Sequence, residues 1–184
     1  MKKTIFTFAI LAFCSLFQLA VAQSGETKNI GDFTEVIIGG GYEVVMTKGS
    51  QATVKLEGSD KDIEKIEVKN ENGVLKITNK RKNSRESTRT GKMKIYITFK
   101  ELRKLTSSGS SSIEVNSELK TDEFAYKGSG SGNTYLNVDV NKLEASITGS
   151  GSVHFKGKAQ EEHLNVTGSG NIKAMDLEAA DAHL

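Results

Sequence analysis

The residue types that could do chemistry in this chain are glycine, serine and histidine, and their spacing limits what they can do. The nearest approach to a phosphate-binding loop runs from Gly151 to Gly157-Lys158. Such a loop needs Gly-x4-Gly-Lys-Ser/Thr opening a helix, so that its amides converge on the anion. Here the spacing is wrong, Ala159 stands in place of the hydroxyl, and strand patterns follow. The run Gly128-Ser129-Gly130-Ser131-Gly132 puts glycine at the centre of what would be a nucleophile elbow. His154, His163 and His183 lack the close spacing and carboxylate company of a zinc site, and His154 reads as a solvated surface histidine. Calcium-binding β-rolls place aspartates between their coils, where this chain has Ser and Asn. A glycan-cleaving β-helix needs clustered acids, bases or metal ligands on one face. The regular face here offers none, so no catalytic residue, cofactor or metal is expected.

What remains is hydrogen bonding by small neutral groups. Four segments align on Gly109, Gly130, Gly149 and Gly168, which are 21, 19 and 19 residues apart. A period of that length is one coil of a solenoid. Side chains alternate with period 2 through each unit. Ala145, Ile147, Gly149, Gly151, Val153 and Phe155 fall on one face and Ser146, Thr148, Ser150, Ser152 and His154 on the other. The next coil repeats this, with Leu164, Val166, Gly168, Gly170 and Ile172 inward. Stacking at about 4.8 Å sets the outward residues in three columns: Ser108, Ser129, Thr148, Thr167; Ser110, Ser131, Ser150, Ser169; and Ser112, Asn133, Ser152, Asn171. The expectation is a flat hydroxyl-and-amide face, with the glycines pointing into a tight interior. Such a face can match glycan hydroxyls; equally, these residues are what suits a tight, polar-coated coil.

The elements that must position this face are all β. Residues 105–184 read as a right-handed parallel β-helix or β-solenoid of Gly-Ser-Gly rungs, and residues 23–104 as more irregular strands before it. In that first part Phe33, Val36 and Ile38 lead into the bend Gly39-Gly40-Gly41, after which Tyr42, Val44 and Met46 alternate. Asn72-Gly73 marks a tight turn, and Ser59 or Asp60 can cap one helical turn within Ser59–Ile66. The stretch from Lys80 to Lys94 carries Arg81, Lys82, Arg85, Arg89 and Lys92 against Glu86 alone. It reads as a solvated hairpin loop, with contact to anionic surfaces as the alternative.

Residues 1–22 read as a secretory signal: Met1-Lys2-Lys3, an apolar run from Ile5 to Val21, and a small-residue exit at Ala20-Val21-Ala22. Cleavage after Ala22 removes the one cysteine, Cys14; a lipid-attachment box there is disfavoured by the bulk of Phe13. It also leaves equal numbers of acidic and basic side chains, no transmembrane span, and no footprint for nucleic acid. The product would reach the periplasm, the outer-membrane surface or the exterior. With 18 glycines and neither Pro nor Trp, a thin core under repeated strands is expected.

Phe33-Thr34-Glu35-Val36, Gly41-Tyr42-Glu43-Val44-Val45-Met46-Thr47-Lys48-Gly49, Asn72-Gly73-Val74-Leu75-Lys76-Ile77 and Leu102-Arg103-Lys104-Leu105-Thr106-Ser107-Ser108-Gly109 precede the Thr-Gly-Ser-Gly units. In that order they resemble the bacterial family called putative auto-transporter adhesin, head GIN domain. The resemblance implies a continuous β-helical envelope or secreted domain over 23–184, with no catalytic residues to carry over. Two non-enzymatic functions follow as expectations: an adhesin binding a glycan or cell-surface component, or a structural module working through protein contacts. Polysaccharide cleavage ranks behind both. A spacing of 19 would place the next anchoring glycine just past Leu184, so the array is expected to continue and its open end to self-associate.

Overall fold

The computed structural model describes residues 25–80 and 93–183. The signal segment 1–22, Cys14 and the basic residues Arg81, Lys82, Arg85, Arg89 and Lys92 with Glu86 lie outside the described residues. The elements are β1 (Gly25–Asn29), β2 (Glu35–Gly40), β3 (Glu43–Lys48), β4 (Thr53–Glu57), α1 (Asp60–Ile63), β5 (Ile66–Glu71), β6 (Val74–Asn79), β7 (Lys94–Phe99), β8 (Lys104–Gly109), β9 (Ser112–Gly130), β10 (Asn133–Gly149), β11 (Ser152–Gly168) and β12 (Asn171–His183). All the strands belong to one sheet, so the fold is all-β.

That sheet is mixed, with its antiparallel pairs among the more irregular strands before residue 105. Parallel pairing joins β9 to β10, β10 to β11 and β11 to β12. It also joins β2 to β6 and β8, and β3 to β7 and β9, so the same mode runs across residue 105. The antiparallel pairs are β1 with β4, β4 with β7, and β5 with β6. For β5 and β6 the cause is local. Asn72 and Gly73 take φ of 53° and 78°, the left-handed pair of a two-residue hairpin, and a chain reversed in two residues can pair only antiparallel. The expected helical turn is α1, where Ser59 Oγ accepts from the Asp62 backbone N–H at 3.2 Å.

In the later strands register follows the sequence period. Asn133 pairs with Ser112 on one side and Ser152 on the other, and Ser152 pairs with Asn171. Continuous parallel pairing at an offset of one repeat requires the chain to complete a circuit within each repeat. Inward side chains then stack into columns. One runs Ile95, Val44, Ile113, Thr134, Val153, all within the core. Thr134 is tolerated there because its hydroxyl shares a 2.9 Å hydrogen bond with the buried Tyr126 phenol. Tyr126 in turn meets Phe155 edge to face at 6.2 Å.

The anchoring glycines do not point inward as expected. Gly109, Gly130, Gly149 and Gly168 adopt φ of 105°, 108°, 116° and 111°. A side chain at any of them would run along the stacking direction into the glycine carbonyl of the preceding coil, which lies 2.3 Å from a Cβ placed at Gly130. Their role is close approach of coil to coil at a corner, which alternation alone does not reveal. The second glycine column, Gly132, Gly151 and Gly170, abuts the previous coil's backbone in the same way. At its head stands Ser111, fully buried, whose Oγ accepts from the Tyr42 backbone N–H and donates to the Gly40 carbonyl, each at 3.1 Å.

Among the described residues β12 pairs with β11 alone, and Val166 and Met175 are exposed. No helix among them is long and apolar enough to cross a membrane.

Candidate binding face

The three sequence columns are columns in the structure. Ser108, Ser129, Thr148 and Thr167 are successive register partners, as are Ser112, Asn133, Ser152 and Asn171. Ser110, Ser131, Ser150 and Ser169 lie in the breaks between strands. Backbone N–H groups of Ser110, Ser131 and Ser150 donate to the carbonyls of Gly40, Gly109 and Gly130 at 2.9, 2.8 and 2.9 Å, so coil-to-coil bonding continues through the breaks. Ser108 and Ser152 are half-buried and the other ten are exposed.

The face is bent rather than flat. Each strand is interrupted at the middle column, directly after a glycine of positive φ, so the first and third columns flank a ridge. The first column continues through Gly39 to Thr78, a hydroxyl the sequence columns omitted because it precedes the repeat. The third ends at Glu43, whose carboxylate pairs with Lys94 at 2.7 Å.

Two of the grooves among the described residues lie off the ridge. The larger, about 550 Å³, is lined by charged residues already engaged with one another: Lys104 with Glu35, Arg103 with Glu101, and Lys142 with Glu144, at 3.1, 2.6 and 2.8 Å. The other, about 400 Å³, borders the third column and has Tyr135 and His154 in its lining. His154 is only half-buried, as the outward register requires, but it is not simply solvated: its ring stacks on Tyr135, centroids 4.6 Å apart and planes 24° apart. Burial and the neighbouring Lys173 hold its pKa below the ordinary histidine range.

Glu162 is a functional-type residue that sequence reading passed over. It stands in the inward column after Phe124 and Leu143, is 4% exposed, and its Oε1 accepts no hydrogen bond among the described residues. Burial pushes its pKa up from the usual carboxylate value. The folded state therefore holds this proton more tightly than the unfolded chain, and stability falls as pH rises above the unfolded value. Glu162→Leu is expected to raise stability at pH 7 by about 1–3 kcal/mol and to flatten that fall; urea melts at pH 4 and pH 7 measure both. No group of three His, Cys, Asp or Glu side chains among the described residues is placed to hold a metal ion.

Fold and face together define an all-β protein whose later strands pair in parallel, each offset by one repeat, beneath a neutral-polar ridge. The chain belongs to the family described as putative auto-transporter adhesin, head GIN domain, whose model matches residues 32–184. It is similar in fold to a putative adhesin from Bacteroides fragilis, at 24% identity and a TM-score of 0.80 over 86% of this chain and 73% of that one. A putative lipid binding protein from Parabacteroides distasonis matches at 23% identity and a TM-score of 0.68, over 86% and 76%. A putative adhesin from Parabacteroides merdae matches at 20% identity and 0.59, over 86% and 75%. A search of curated proteins gives no match.

Proposed function

We propose that this protein is an exported, non-catalytic adhesin that binds glycans or other cell-surface components through the Ser/Thr/Asn ridge on a right-handed parallel coil. The supporting observation is the ridge itself: eight small neutral residues in two columns of register partners, with Ser110, Ser131, Ser150 and Ser169 in the breaks between them. One hydroxyl or amide contributes little in water, but a column offers several contacts to a repeating ligand, and display in many copies multiplies them. The right hand is the one that parallel crossovers adopt almost without exception. Export rests on the signal pattern of residues 1–22, and mass spectrometry of the mature protein is expected to find Gln23 at its N-terminus.

On a glycan array, the native protein is expected to bind at least one glycan class. The triple variant Ser129→Ala, Thr148→Val, Thr167→Val should lose that signal and keep its urea midpoint. Binding equal to native in the folded variant would refute the ridge as the contact.

A second reading, a module working through protein contacts, draws on the edge of β12, which pairs with β11 alone among the described residues, and on the exposed Val166 and Met175. Self-association in analytical ultracentrifugation, together with an empty glycan array, would favour it.

A further inference from the structure

We propose that the groove bordering the third column is a subsite for a neutral oligosaccharide, contacted by the edges of Tyr135 and His154 and by Asn137. This rests on the adhesin reading above and gives that reading a place on the surface. A ridge can touch a ligand but cannot enclose it. The groove, at about 400 Å³, falls within the roughly 300–1,000 Å³ of ordinary ligand sites.

Its irregularity is what the ridge lacks. Pairing of β9 with β10 shifts register between Tyr135 and Asn137, and pairing of β11 with β12 shifts between His154 and Lys156. The extra residues lie on β9 and β12, beside Val115, Asn116 and Asp176 of the groove lining, and such bulges bend a strand and re-aim its side chains, often beside functional sites. Tyr135 is 46% exposed and is the register partner of His154. Because the two rings stack on each other, one face of each is covered by the other, which leaves the ring edges for a ligand. A neutral imidazole edge offers one donor and one acceptor, the phenol offers both, and the Asn137 amide adds both again. Paired donors and acceptors match the vicinal hydroxyls of a sugar ring.

Charge selects against ionic ligands. The lining holds Glu114 and Asp176 against Lys156, and Lys173 and Glu118, the register partners of His154 and Asn137, stand beside it with opposite charges. One excess negative charge disfavours an acidic polymer and is too little to hold a basic one. Asn133 and Ser152 precede Tyr135 and His154 by two residues and share their outward face, so a chain of sugars lying in the groove would continue along the third column.

The test titrates the full chain with cellopentaose, mannopentaose and chitopentaose, and with an oligogalacturonate as the anionic comparison, following aromatic ring and backbone amide signals by NMR. At least one neutral probe is expected to shift the Tyr135 and His154 ring signals. Tyr135→Phe should weaken that binding about threefold, the loss of the phenol's hydrogen bonding, and Tyr135→Ala about tenfold, the loss also of the ring that stacks on His154. Tyr135 lies outside the core, so both variants are expected to melt in urea as the native protein does. Shifts confined to Ser129, Ser131 and Ser150, with Tyr135→Ala binding unimpaired, overturn the groove and leave the adhesin reading standing. No shift with any probe at about 10 mM, beyond even millimolar affinity, overturns both. Preferential binding of the oligogalacturonate overturns the neutral class.

Discussion

Gly130→Val is expected to destabilise the protein by about 3–5 kcal/mol, whereas Gly41→Ala is expected to change stability by no more than about 0.5 kcal/mol. The two glycines look alike in sequence and differ in what surrounds them. Gly130 has φ of 108°, which an L side chain rarely adopts, and a Cβ there would sit 2.3 Å from the Gly109 carbonyl oxygen. No rotamer relieves a clash between Cβ and backbone. The coils must separate, which also breaks the 2.8 Å bond from the Ser131 N–H to that same carbonyl. Gly149 leans on Gly130 in the same way, so the strain passes to the next coil. At Gly41 nothing lies within 4 Å of a Cβ and φ is not in the left-handed range, so alanine mainly restricts the unfolded chain. Urea melts compare the two directly, and equal losses would remove the close-approach account of the anchoring glycines.

Val153→Asp is expected to cost about 3–5 kcal/mol at pH 7, against under about 1 kcal/mol for Ser150→Asp three residues earlier. Val153 is fully buried, stacked between Thr134 and Ile172 in the coil interior. A carboxylate there has no partner, and burial would raise its pKa above the unfolded value of about 3.9. The sign follows as for Glu162: the variant's deficit should be smallest in acid and grow as pH rises through the unfolded value. Ser150 is exposed at the ridge between Ser131 and Ser169, where a charge stays hydrated. A pH-independent deficit, or equal losses at both positions, would mean that the inward and outward assignments are wrong.

The sequence is most legible where one residue reports its own backbone. Ser59 ahead of two aspartates marks α1, and Asn72-Gly73 marks the hairpin of β5 and β6, because caps and turns are decided within a few residues. The early strands are harder. Nothing local in Val54 or Leu56 tells that β4 joins β7 antiparallel while β3 joins the same strand parallel, since alternation is identical in both cases. A mixed sheet therefore reads as irregular β structure until its pairing is seen.

By itself the sequence determined the repeat period, the inward place of apolar residues such as Ile147, Val153 and Phe155, and the polar columns. Each follows from the pleat of a strand and the repeat length, which are properties of the chain alone. Only the tertiary structure decided that the glycines permit coil-to-coil contact, that the polar columns bend over a ridge, that Glu162 lies inside, and that Tyr135 stacks on His154 to make a groove. Those outcomes depend on which residue meets which across neighbouring coils. The 21-residue first repeat and the bulges near Tyr135 and His154 shift that register locally, and the distances that result are set by packing of strands far apart in sequence.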